Sequence, residues 1–168
     1  MTSLLRGIRK GMDFCMEIRL AAMNDIEALC PLLTEFYAYN AALQPVYCEA
    51  SVENGKYPET VIESDDEDFI IAIEDAVVVG FIHIHQMKTP AYDSVVPYNY
   101  AEIMSFMVTS QRREQGIGSK LIESAKQWSK ARNLAYIELF SLTNANEANR
   151  FYDKENFVTV SHNRRYTL

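Results

Sequence analysis

The segment that most constrains this chain lies between residues 101 and 130. A strand-patterned run, Ala101 to Thr109, gives way across Arg113-Glu114-Gln115-Gly116-Ile117-Gly118 to a run of helical pattern. In that second run Leu121, Ile122, Ala125 and Trp128 recur at helical spacing, Lys120, Glu123, Lys126 and Lys130 occupy the other face, and Asn133 marks the stop. A strand that feeds a helix through so short a turn calls for a mixed α/β architecture. Gly116 and Gly118 allow the backbone to approach a ligand, and the helix they open presents unpaired amides at its positive end. The turn therefore reads as an anion site. Arg113 supplies a charge for a diphosphate, and Glu114 must face away if phosphate binds. A Gly-x-Gly turn also serves tight packing, so the letters alone leave both readings open.

Two other phosphate-binding patterns fail on the same residues. A P-loop needs Gly-x-x-x-x-Gly-Lys-Ser/Thr, whereas Gly118 precedes Ser119-Lys120 with no glycine at the required earlier spacing. A dinucleotide fingerprint needs a third small residue where Leu121 stands, and it normally opens the first strand-helix unit.

Elsewhere, Ile18 to Ala21 reads as a first strand. Asn24 is placed to cap a following helix, with Glu27 returning the bond. Ile26, Leu29, Leu32, Leu33 and Phe36 give that helix its apolar face, and Pro31 predicts a kink or break. Tyr37 to Tyr57 reads as a loop with a short helix. The acidic run Glu63 to Asp68 lacks calcium-loop spacing and reads as a solvated loop. Phe69 to Ile73 and Val77 to Met87 form a hairpin around Glu74-Asp75-Ala76. His83 and His85 share one face of the second strand without a third ligand, which favours packing or surface placement over a metal site. After the central helix come a strand over Ala135 to Phe140, a helix over Asn146 to Lys154, and one or two terminal strands within Val158 to Leu168.

With 168 residues, 48% of them hydrophobic, the chain suits one core: an N-terminal extension over 1–15 and a domain over 16–168. Met12 and Met16 are alternative starts. A net charge of -7 disfavours nucleic acid and is compatible with cationic substrates. Cys15, Cys30 and Cys48 suggest neither a disulfide framework nor a zinc site, so a reducing, cytoplasmic setting is expected. The apolar runs are strand-sized, and no membrane association is expected.

Residues 113–118 match, at every defined position, the Gln/Arg-x-x-Gly-x-Gly/Ala signature of the GCN5-related N-acetyltransferase (GNAT) superfamily, which the chain resembles. Ala148-Asn149-Arg150-Phe151-Tyr152-Asp153-Lys154-Glu155-Asn156-Phe157 is similar to the family's C-terminal segment, with Asn156 in place of its usual glycine. The resemblance covers about Met16 to Leu168. It implies a partly split, mixed sheet of about six or seven strands flanked by about four helices, with coenzyme A between the fourth and fifth strands. It further implies that the pantetheine arm pairs near Met107 and Val108, that amides from Glu114, Gln115, Gly116, Ile117, Gly118 and Ser119 hold the pyrophosphate, and that Asn144 or Asn146 contacts the arm.

The implied reaction is acetyl transfer from acetyl-CoA to an amine, without metal. Tyr152 matches the family's tyrosine facing the sulfur, where a phenol of pKa ~10 protonates a thiolate whose acid is near ~8.5. An amide at Met107 or Val108 polarises the carbonyl. Glu102 is the candidate base, with a solvent-facing strand carboxylate as its alternative, and Tyr98, Tyr100, Glu35 or water chains as other routes for the proton. The loops Phe36 to Tyr57 and Lys88 to Tyr100 are expected to hold a small amine, polyamine, amino acid or peptide amino terminus. A homodimer through a C-terminal strand is compatible with the resemblance. A non-catalytic acetyl-CoA-binding sensor is the alternative function.

Overall fold

The computed structural model describes residues 16–166; the predicted extension over 1–15 and the last two residues lie outside them. The elements are β1 (Met16–Leu20), α1 (Ile26–Leu43), α2 (Lys56–Ile62), β2 (Glu67–Glu74), β3 (Val77–Lys88), β4 (Asn99–Val108), α3 (Ile117–Ala131), β5 (Ile137–Leu139) and α4 (Asn146–Lys154). They build one sheet in chain order, β1 to β5. The first four strands are antiparallel, and β5 runs parallel to β4 after the α3 crossover.

Strand alternation sorts the core into two halves. Ile70, Ala72, Val79, Ile82, Ile84, Ala101 and Ile103 face the apolar stripe of α3, made by Ile117, Leu121, Ile122, Ala125 and Trp128. Phe69, Ile71, Phe81 and Met107 face the other way, onto Leu29, Leu32 and Leu33 of α1 and Val61 of α2. The hairpin falls at Glu74-Asp75-Ala76, where Asp75 and Ala76 take φ of 51° and 63°, the left-handed pair of a type I′ turn.

Several expectations are corrected. The residue at the cap position before α1 is Asp25, not Asn24 with Glu27, and its carboxylate does not bond the helix amides: it accepts from the Ala22 amide at 2.8 Å and from Arg19 at 2.6 and 2.9 Å, tying the helix start at Ile26 to the end of β1. α1 runs unbroken through Pro31, since a proline near a helix start removes one bond that the remaining turns outweigh, and it continues past Phe36 to Leu43. The acidic run is not wholly solvated. Glu67 and Asp68 enter β2, where Asp68 accepts from Trp128 Nε1 at 2.7 Å and Arg132 Nη2 at 3.1 Å. The sheet has five strands among the described residues, not six or seven, and β5 is only Ile137–Leu139. Residues 157–166 pair with no strand among the described residues. Val158 and Val160 are largely exposed there, and the polar stretch Ser161 to Arg165 supplies no apolar face that burial could reward.

Candidate active site

Register makes the cleft. β5 accompanies β4 only along Ala101, Glu102 and Ile103, leaving Met104 to Val108 without a strand on that side. Opposite β3, Ile84 pairs with Ile103 and His83 with Ser105, so Met104 is the extra residue of a β-bulge. Bulge and split coincide. A cleft of about 930 Å³ opens there, between the second half of β4, the turn before α3, residues 139–142, α4, and Phe36, Tyr39 and Asn40 of α1.

The turn forms the phosphate-sized end. Glu114 and Gly116 adopt φ of 60° and 79°, and the first bond of the α3 ladder runs from the Lys120 amide to the Gly116 carbonyl at 3.2 Å. The amides of Ile117, Gly118 and Ser119 thus precede the ladder, and all three residues line the cleft. The two glycines serve different needs. Gly116 has the left-handed φ with open space where a Cβ would stand. A Cβ on Gly118 would lie 3.1 Å from the Phe151 ring and 3.3 Å from Phe106. Arg112, Arg113, Arg150 and Lys154 line this end together with Glu114 and Glu147, and Glu74 pairs with Arg112 at 2.6 Å, which leaves a small local cationic excess on a chain of net charge -7.

Not every predicted contact faces the cleft. Gln115 folds back, its side-chain amide donating to the Gln111 carbonyl at 3.3 Å. Arg113 lines the cleft but is already engaged, donating from Nε to the Val108 carbonyl at 3.2 Å and meeting Glu147 at 3.4 Å. Ser119 donates its hydroxyl to Glu155 at 2.5 Å, which leaves its amide as the available group. Asn144 donates to the Leu43 carbonyl at 2.9 Å, tying the loop after β5 to the end of α1. Neither Asn144 nor Asn146 lines the cleft. The Thr109 amide donates to Val79 on β3, so strand alternation turns the Met107 backbone toward β3 as well. The backbone groups of Phe106 and the Val108 amide face the cleft side instead, the Val108 carbonyl being taken by Arg113. Sequence reasoning missed Phe106, because the bulge that sets this phase leaves no mark in residue type.

Tyr152 stands on α4 with its ring among Phe106, Phe151 and Phe157, at centroid distances of 6.3, 5.7 and 5.8 Å. It lines the cleft. Burial, then the nearby Tyr39 phenol, pushes its pKa up to about 12. Glu102 does not line the cleft. It sits on the β4 segment still paired with β5, between His85 and Glu138, and burial followed by the Glu138 carboxylate raises its pKa while His85 opposes. Tyr100 stacks on Tyr136 at 5.0 Å, with Tyr98 at 6.1 Å from Tyr136. His83 is buried with both ring nitrogens taken, by Glu67 at 2.7 Å and the Tyr57 hydroxyl at 2.6 Å, so it packs as a structural residue. His85 is partly exposed, 3.9 Å from Glu67.

The family model for the Acetyltransferase (GNAT) family matches residues 26–157, a span that includes the split strands, the turn and Tyr152. The chain belongs to the GNAT acetyltransferase family. Solved structures share its fold. A mutant of the BH1408 protein of Bacillus halodurans superposes with a TM-score of 0.86 at 19% identity, covering 90% of this chain and 99% of that one. The ribosomal-protein-alanine N-acetyltransferase of Brucella melitensis biovar Abortus gives 0.68 at 18% identity, covering 92% and 98%. AAC(6')-Iy, in complex with the bisubstrate analogue CoA-S-monomethyl-acetylneamine, gives 0.68 at 14% identity over 92% and 98%. No curated protein matches the chain in sequence. The protein is thus an acyltransferase of a family that uses acetyl-CoA. Among the described residues no helix is long and apolar enough to cross a membrane.

Proposed function

We propose that the protein transfers the acetyl group of acetyl-CoA to a primary amine by direct attack. The observation that carries this reading is the coincidence, in one cleft, of a strand edge freed at Met104, pre-ladder amides at one end and a protonated phenol within it. The amides of Ile117 to Ser119, with the surrounding cations, hold the pyrophosphate. The arm runs along the Phe106 and Val108 edge, and a backbone amide there receives the carbonyl oxygen. The amine lone pair attacks the thioester carbon, the C=O pair moves to oxygen and returns, and the C–S bond breaks. The new N–C bond leaves a proton on nitrogen for a base, and the thiolate is stabilised by the Tyr152 hydroxyl.

The acceptor arrives as an ammonium and gives up one proton, to a base or to water, before its lone pair attacks; the sheet face under α1 suits the charged form. Before the bulge, Ala101 and Ile103 face α3, so Glu102 faces the opposite side, next to Glu138, and neither carboxylate has a salt bridge among the described residues. The stacked Tyr100 and Tyr136 adjoin them. Carboxylates with aromatic faces attract ammonium groups. The ribosomal-protein alanine and neamine of the structural neighbours are both amine acceptors, in keeping with this class. A thiol-release screen across small amines, polyamines, amino acids and Ala-terminated peptides, with calorimetry for acetyl-CoA, tests the reading. Binding without release from any amine would overturn transfer, and absence of binding would overturn the site.

Glu102 gives a second test. Its folded pKa is raised, so the ionised form is the disfavoured one: the penalty is absent in acid, where the carboxyl is protonated, and grows as pH rises through the folded value. Glu102→Gln is therefore expected to stabilise the protein at neutral and higher pH by about 0.2–1 kcal/mol, the cost of like charges facing across strands, and to leave acid stability unchanged. Lying outside the cleft lining, Glu102 as base acts through water, and it works only when ionised, so the native enzyme gains activity as pH rises and the Gln variant loses this limb. Thermal melts and rate profiles across pH check both.

A further inference from the structure

The cleft holds one buried polar group that the reading above leaves unused. Ser105 is 7% exposed and lines the cleft, and its hydroxyl oxygen, shielded from solvent, has no hydrogen-bond partner among the described residues. Among the described residues Glu74 Oε2 is the other such atom, and it lies 2.6 Å from Arg112 Nε, which gives it a charge partner even though the angle is poor. Ser105 has no equivalent. Directly across β3 stands His83, the one neighbour in register with a polar side chain, but Glu67 and Tyr57 occupy both of its nitrogens. Asn40, which also lines the cleft, donates its side-chain amide to the Phe36 carbonyl at 3.1 Å.

A buried hydroxyl without a partner is costly, and it persists where the partner arrives with a ligand. The bulge at Met104 determines where this one points. Past the bulge, Phe106 packs toward α3 and α4, with Tyr152 against it, and Met107 packs toward α1. Ser105, two residues before Met107, shares the α1 side. It is therefore on the face that carries Glu102 before the bulge and away from the Phe106 face against which Tyr152 packs. The sulfur leaves toward Tyr152, so the nitrogen enters from the Ser105 side.

Resting on the proposed acetyl transfer, we propose that Ser105 is a substrate-binding residue: as the amine enters, its side chain turns about χ1 and brings Oγ, buried in the free protein, to the cleft, where it accepts a hydrogen bond from the attacking amine and aims its lone pair at the thioester carbon. No proton leaves Ser105 in this step: nitrogen forms the new bond to carbon, the C–S bond breaks, and the amine proton departs to the base. The residue selects for nitrogen acceptors that retain an N–H while attacking. Ser105 is the polar exception among the buried residues of β4, the others being Ala101 and Ile103 on the α3 side and Met107 on its own side.

The test uses the full chain with the amine that turns over fastest in the native protein. Ser105→Ala and the nearly isosteric Ser105→Cys are expected to lower kcat/KM for that amine roughly tenfold or more, because a bound N–H loses its partner. Acetyl-CoA affinity by calorimetry is expected to stay within about twofold, since the donor is held elsewhere. The ligand-free melting temperature of Ser105→Ala is expected to be unchanged or higher, as no bond within the protein is lost. Full activity in either variant overturns the proposal; so does a fall in activity that tracks a lower melting temperature or weaker acetyl-CoA binding. Failure of the underlying reading is distinguishable, because it shows in the native protein, as no thiol release from any amine, and removes this proposal with it.

Discussion

Replacing Tyr152 by phenylalanine is expected to lower kcat by about 10²–10⁴, the usual contribution of a positioned proton donor, while leaving the melting temperature and acetyl-CoA affinity close to native. The ring would keep its place among Phe106, Phe151 and Phe157, so only the hydroxyl is lost. What the hydroxyl does follows from its pKa of about 12. Against a thiol near ~8.5 in water, complete proton transfer would be uphill by about 5 kcal/mol at ~1.36 kcal/mol per unit. The same burial raises the thiol as well, which narrows that gap inside the cleft. Tyr152 thus acts as a hydrogen-bond donor to sulfur as the C–S bond stretches, and the proton need not pass fully before the thiolate leaves. Its protonated form persists up to about pH 12, so the native rate profile is expected to show no alkaline limb from this residue. A limb below pH 10 that disappears in Tyr152→Phe would overturn the assignment. Equal kcat in variant and native protein would remove Tyr152 from the chemistry altogether.

The parts of the site that sequence made legible are those whose cause is local. Gly116 announces a left-handed turn, the spacing of Leu121, Ile122, Ala125 and Trp128 announces the buried stripe of α3, and Glu74-Asp75-Ala76 announces a hairpin. Each is set by a few neighbouring residues. The cleft itself is set by pairing across strands, and residue type does not encode pairing. Met104 becomes a bulge only because Ile103 and Ser105 are held opposite consecutive residues of β3, and from that one slip follow the facing of Phe106 and Val108 and the isolation of Ser105. β5 reads as a longer strand in sequence because Ala135 to Phe140 is apolar, yet it pairs for only three residues, and Phe140 lines the cleft. Asn144 is polar and near the cofactor side, as expected of a contact residue, but the end of α1 offers a carbonyl at 2.9 Å. Arg150 and Lys154 escaped notice for the opposite reason: charged residues on a helix usually signify solvent, and only docking of α4 beside the turn brings them to the cleft.

The two glycines of the turn yield the sharpest contrast in expected effects, because the same substitution should act on different steps. Gly116→Ala meets no atom within 4 Å, so its cost is conformational: a φ of 79° is paid for by the added Cβ at about 1–2 kcal/mol. If the turn relaxes in the free protein and must be restored to seat the pyrophosphate, that cost appears as acetyl-CoA affinity lower by about 5- to 30-fold, with kcat near native once the site is saturated. Gly118→Ala is unstrained in φ but overpacked, its Cβ 3.1 Å from the Phe151 ring and 3.3 Å from Phe106. Phe151 must move, and with it the neighbouring Tyr152 on the same helix, while Phe106 anchors the strand edge along which the arm lies. A stability loss of about 1–3 kcal/mol is expected, together with a fall in kcat larger than the change in affinity. Calorimetry and saturation kinetics on the two variants separate these outcomes. If both lowered affinity alike and spared kcat, Gly118 would belong to the phosphate turn alone, and the mechanical link from α3 through Phe151 to Tyr152 would be wrong.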